Sequence, residues 1–131
     1  MSEANAELMR RAFEELAEAG VEAMLPYVDE DFEMTTPANL AAEPDTYVGH
    51  DGVRRWFDTF YEAMDSVRIE PQEIEAVGDR VAVRFRMVAR GRTTGIEAVQ
   101  EAACLCHVED EKTTRMEFFA TFDEAREALR G

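Results

Sequence analysis

Apolar residues recur along the first twenty positions at helical spacing. Leu8, Met9, Ala12, Phe13, Leu16 and Ala19 share one side, with Glu14, Glu15 and Glu18 between them. This stripe predicts an amphipathic helix, which Gly20 is suited to end. Val21, Met24, Leu25 and Val28 predict a short second helix that Pro26 bends or stops. Asp29-Glu30-Asp31 reads as a turn, residues 32–36 as a short strand and 37–45 as an irregular loop that closes at Tyr47-Val48-Gly49. A third helix is expected over 51–64, where Val53, Trp56, Phe57, Phe60 and Met64 line one side and Arg54, Arg55, Asp58 and Glu62 the other.

From Val67 the period changes to two, through Val67, Ile69, Ile74 and Val77, and Gly78-Asp79 marks a tight reversal. A long strand follows, with Val81, Val83, Phe85, Met87 and Ala89 on one face and Ala82, Arg84, Arg86, Val88 and Arg90 on the other. Residues 91–95 turn the chain. The strand over 96–108 then sets Ala98, Gln100, Ala102, Cys104 and Cys106 against Glu97, Val99, Glu101, Ala103, Leu105 and His107. After a hairpin tip at Glu109-Asp110-Glu111, the last strand alternates Thr114, Met116 and Phe118 with Thr113, Arg115, Glu117 and Phe119, and 122–129 reads as a closing helix. Helices first and long antiparallel strands afterward predict an α+β domain, its helices packed on a curved sheet. At 131 residues the chain has room for one such domain.

Charge narrows the partners. The 29 acidic residues outnumber the 14 basic ones, a formal charge of −15 that repels a phosphate backbone, so neither nucleic acid nor an anionic membrane is expected. No apolar run approaches the roughly 20 residues of a membrane span. The first residues lack a basic segment followed by an apolar stretch, so the expected location is cytoplasmic. Cys104 and Cys106 sit two apart on one strand face, a poor geometry for a disulfide, and are expected as reduced thiols. His50 falls on a turn and His107 on the opposite strand face, so no metal site is expected, and nothing in the sequence calls for a cofactor.

Several landmarks then stand in a characteristic order: Ala19-Gly20-Val21-Glu22, Tyr47-Val48-Gly49-His50-Asp51-Gly52-Val53, Gly78-Asp79-Arg80-Val81, Arg90-Gly91-Arg92-Thr93-Thr94-Gly95, and the strand over 112–117. In order and spacing they resemble the SnoaL-like proteins of the nuclear transport factor 2-like superfamily. The resemblance covers nearly the whole chain. It implies a cone whose sheet wraps around the helices, an internal cavity, and frequent homodimers. It does not name an activity, because the fold carries isomerases, epoxide hydrolases, polyketide cyclases, dehydratases and non-catalytic proteins.

The catalytic members can be compared residue by residue. Ketosteroid isomerases use a tyrosine, a general-base aspartate and a protonated aspartate; the matching positions here are Phe13, Thr36 and Cys104, none of which can do that work. Limonene epoxide hydrolases use an arginine and two aspartates, which correspond to Phe85, Met87 and Phe118, or to Arg86, Val88 and Glu117 if the register slips by one.

In the first register the pocket is expected to include Phe13, Tyr27, Thr36, Trp56, Phe60, Phe85, Met87, Gln100, Cys104, Met116 and Phe118, with Thr114 as a further polar position. Gln100 is the first candidate for orienting a ligand, since a buried amide without partners costs about 1–3 kcal/mol. For any single Met or Phe, plain core packing is the competing explanation. Cys104 has no evident base to activate it, and His50 and His107 read as structural. The outer face, with Arg84, Arg86, Glu101, Arg115 and Glu117 among Val88, Val99, Leu105 and Phe119, suits a homodimer or a merely solvated surface.

Three functions follow, in order of preference. The first is a non-catalytic domain binding a small lipophilic molecule. The second is a lyase, isomerase or cyclase in which Gln100 and Tyr27 polarise an oxygen and Asp45 or Glu117 moves a proton. The third is a structural dimerisation module with a filled core.

Overall fold

The computed structural model describes residues 2–36, 45–61 and 64–130. Helix α1 (Ser2–Ala19) is followed by the short α2 (Val21–Met24) and a 3-10 turn (Leu25–Tyr27) that carries Pro26 near its start, where proline's fixed φ is tolerated. Then come β1 (Val28–Thr36), β2 (Asp45–Val48), α3 (Gly49–Tyr61), β3 (Met64–Val77), β4 (Arg80–Gly91), β5 (Glu97–Glu109), β6 (Lys112–Phe119) and α4 (Phe122–Arg130). The six strands form one curved sheet in the order β2-β1-β6-β5-β4-β3, antiparallel except where β1 runs parallel to β6.

Three boundaries differ from the sequence reading. Asp29-Glu30-Asp31 lies within β1, where Val28 faces Thr113 and Glu33 faces Arg115, so β1 advances five residues while β6 advances two. The excess is absorbed in a local kink closed by the Asp31 N–H donating to Asp29 Oδ1 (2.8 Å), which is turn chemistry inside a strand. Met64 opens β3 instead of ending α3, and Asp45 opens β2 instead of belonging to the loop. The rest of that loop, 37–44, lies outside the described residues.

The inner face of the sheet holds the main core. Helix α1 packs on β3 and β4, and α3 packs on β1, β2 and β3. Met9, Phe13, Trp56 and Phe57 come from the helices, and Phe32, Met34, Val81, Val83 and Phe85 from the strands. Helix α3 starts hard against β2: a Cβ on Gly52 would stand 2.8 Å from the Tyr47 carbonyl carbon, so only glycine permits this approach. Cys104 and Cys106 are fully buried in this core with their sulfurs 3.7 Å apart, as free thiols. The hydrogen bond between them, together with burial, pushes the Cys104 thiol well above its ordinary range.

A second, smaller core lies on the outer face. Phe122, Ala125 and Leu129 recur at i, i+3 and i+7 along α4 and cover Ala82, Ala103 and Leu105. Thr121 starts the helix, its hydroxyl accepting the Glu124 N–H (3.2 Å) and donating to the Glu124 carboxylate (3.1 Å). The helix is tied down by Arg126 on Glu75 (2.7 Å) and by Arg80 donating to the Ala128 carbonyl (3.3 Å). Among the described residues, no helix is long and apolar enough to cross a membrane.

Two outcomes test this packing. Leu129→Ala, which empties a fully buried position, is expected to cost about 2–5 kcal/mol in urea denaturation. In the native protein neither thiol should react with a dithiobis-nitrobenzoate reagent at about pH 8, whereas both should react once urea unfolds the chain.

Candidate functional site

Between α1, α3 and the inner sheet face a cavity remains, with about 50 Å³ open to the centres of water-sized spheres. One water needs roughly 10–15 Å³ on this measure, so the space holds a few waters and is smaller than the ~300 Å³ at which ligand sites begin. Its wall is almost entirely hydrocarbon and sulfur.

Three structural devices build the wall. On α1, Met9, Phe13 and Leu16 fall at i, i+4 and i+7, one face of the helix. On α3, Val53, Trp56 and Phe57 do the same at i, i+3 and i+4. On the strands, Phe32 and Met34 of β1, Phe85 of β4, and Met116 and Phe118 of β6 project inward by alternation. Trp56 stacks on Phe118 (centroids 5.5 Å, planes 11° apart), Phe118 meets Phe85 edge-on (5.9 Å), and Phe57 meets Trp56 edge-on (4.8 Å). Such offset and T-shaped contacts fix the rings relative to one another. Four methionines, Met9, Met24, Met34 and Met116, supply the adaptable part of the wall. Leu16, Phe57 and Ile69 also line a small neighbouring cavity beside Gly20 and Arg68.

The only hydroxyl among the described lining residues is that of Thr113, and the Trp56 indole N–H is the other side-chain hydrogen-bond donor in the wall. Thr113 is 2% exposed, and its hydroxyl donates to the Met9 sulfur at 3.2 Å. Its inward direction comes from a bulge: His107 faces Arg115 but Val108 faces Thr113, so β6 spends an extra residue, Thr114, where β5 advances one. Thr114 is turned out of the wall, and its hydroxyl donates to the His107 carbonyl (3.3 Å).

Of the residues expected in the pocket, Phe13, Trp56, Phe85, Met116 and Phe118 line this cavity. Tyr27, Met87, Gln100 and Cys104 do not. Gln100 is exposed, because residues 97–101 of β5 run past the helical cover. Its amide is solvated, so the burial penalty that singled it out does not arise. Cys104 is buried in the adjoining core with Cys106, and Met87 stands near the open end of the same sheet face. The side chains of Thr36 and Phe60 lie outside the described residues. Alternation did not reveal Thr113, since a bulge leaves no mark in the pattern; Met34, two residues from Phe32, was legible by the same period.

The register is the unslipped one. Phe85 pairs with Ala102 and Cys104 with Phe118, and both aromatic rings face inward. Arg86 and Glu117 face outward, Arg86 on Glu70 (2.6 Å) and Glu117 near His107 (3.6 Å) and Arg115 (3.7 Å). Hydrogen bonds from Arg86 and Arg68 hold the Glu70 carboxyl below its ordinary range. The His50 ring nitrogen lies 2.8 Å from the Val28 carbonyl and fixes the start of α3. Among the described residues no carboxylate or imidazole lines the cavity, and no three His, Cys, Asp or Glu side chains converge as metal ligands.

Comparison with known proteins agrees with this architecture. The profile of the SnoaL-like domain matches residues 9–116. No curated protein matches the chain significantly. Among solved structures, TerC co-crystallised with polyporic acid has a TM-score of 0.78 at 22% identity, covering 97% of this chain and 98% of that one. A nuclear transport factor 2-like protein from Burkholderia thailandensis E264 has a TM-score of 0.78 at 20% identity, covering 97% and 98%. A putative SnoaL-like polyketide cyclase from Jannaschia sp. CCS1 has a TM-score of 0.73 at 13% identity, covering 98% and 92%. At these identities the likeness is one of fold. With the profile match over most of its length and this fold, the chain belongs to the SnoaL-like domain family.

Proposed function

We propose that this domain binds a small lipophilic molecule in the cavity between α1, α3 and the inner sheet face, without acting on it chemically. One observation carries the reading: space is left inside a wall of aromatic rings and thioethers that holds a single hydroxyl. A structural module gains nothing from such a void, since each unfilled volume forfeits dispersion contacts. General acid–base chemistry needs a titratable group within reach of the substrate, and the described lining offers none. The polyporic acid held by TerC is a precedent for an organic ligand in this fold.

The free cavity is too small for most such ligands, and the methionines answer that. Each has three rotatable bonds and no branch, so four of them can shift to admit a guest while the ring cluster stays in place. The same reading pairs two copies through the part of the outer sheet face that α4 leaves open, where Val99 is 57% exposed opposite Val88.

Trp56 is the sole tryptophan and stands in the wall, so its fluorescence reports directly on the cavity. In a panel of steroids, terpenoids, polyketide fragments and fatty acids, at least one compound is expected to alter Trp56 emission and raise the melting temperature. At 100 times its Kd such a ligand adds about 2.7 kcal/mol of stability. A panel that moves neither signal sinks the binding reading, and chemical conversion of a bound compound replaces it with an enzyme. For the pairing, Val99→Arg is expected to shift a dimer to monomer in light scattering; a wild-type monomer refutes it.

A further inference from the structure

Thr113 is a buried donor spent on a poor acceptor. Its hydroxyl is the only one among the described lining residues, whose other side-chain donor is the Trp56 indole N–H, and its hydrogen goes to the Met9 thioether, 3.2 Å away. A thioether sulfur accepts weakly compared with a carbonyl or hydroxyl oxygen. Met9 sits on α1 with three rotatable bonds, so it can withdraw without disturbing the backbone.

Thr113 itself is held firmly. It is paired to Val108 of β5 and Val28 of β1, and the bulge at Thr114 aims it inward. Another part of the wall is the Trp56–Phe118 stack, which offers ring surface with the Trp56 indole N–H at its edge, and the described lining holds no competing carboxylate or amide.

From this arrangement, and resting on the binding reading above, we propose that the ligand class is a lipophile bearing a carbonyl-type oxygen, and that Thr113 is the residue that recognises it. The ligand oxygen takes the Thr113 hydrogen in place of the Met9 sulfur, and its hydrocarbon part lies against the aromatic rings. Recognition is thus an exchange of a weak acceptor for a strong one in a water-poor site. A charged ligand is disfavoured, because one neutral hydroxyl cannot replace the hydration of a carboxylate or an ammonium.

The test uses acetophenone and α-methylstyrene, which share shape and differ in C=O against C=CH2. Binding is followed by NMR titration of the single indole N–H. The ratio of the two affinities is compared between variants, which cancels the ketone's own hydration.

In Thr113→Val the preference for the ketone is expected to fall by about fivefold to tenfold while the hydrocarbon's Kd changes less than about twofold. Thr113→Ser should restore the preference. Met9→Leu, which removes the sulfur acceptor, should strengthen it. If both compounds bind but the ratio is unchanged in Thr113→Val, the Thr113 assignment is overturned and the cavity reading stands. If neither compound binds the wild-type protein, the Thr113 assignment is overturned, and the cavity reading stands or falls with the wider panel above.

Discussion

The pairing of Phe85 with Ala102 and of Cys104 with Phe118 constrains the rest of the molecule. Side chains alternate along a strand, so these pairs decide the face of every other residue on the regular parts of β4 and β5 and on the outer half of β6. A slip of one residue would carry Arg84, Arg86 and Glu101 into the core, where an unpaired charge costs several kcal/mol. The large-against-small match of Phe85 and Ala102 leaves room on the inner face for rings from the helices. On the outer face the small Ala82 and Ala103 give α4 its seat.

The two faces hold together by different means. On the inner face stability comes from burial of aromatic, aliphatic and sulfur-bearing side chains beneath α1 and α3. The outer face carries a small apolar seat under α4 and, beside it, ion pairs such as Arg84–Glu73 (3.0 Å) and Arg86–Glu70 (2.6 Å). Pairs exposed to this degree add little to stability. They keep charge off the inner face and leave the packing there to set the shape of the cavity.

Much of this was legible in the sequence because it follows from period and sign. The stripe on α1, the ring-bearing side of α3 and the alternation on β4 and β5 are statements about which residues tolerate water. What escaped depends on backbone detail or on distant coverage. The three acidic residues at Asp29-Glu30-Asp31 have turn chemistry, and the chain makes that turn without leaving the strand. Gln100 shares a face with Cys104, yet alternation cannot say where the helices stop covering β5. Thr113 and Thr114 are the same residue type side by side, and only the bulge decides which one meets the interior.

The thioether wall carries a chemical liability along with its pliancy. Oxidation of Met9, Met24, Met34 or Met116 would place a strongly polar sulfoxide against surfaces that offer one hydroxyl donor among the described side chains. The new oxygen would claim that donor or force the wall apart to reach water. Any guest that entered the cavity would shield these sulfurs, and the lifetime of the domain under peroxide would then depend on its occupancy.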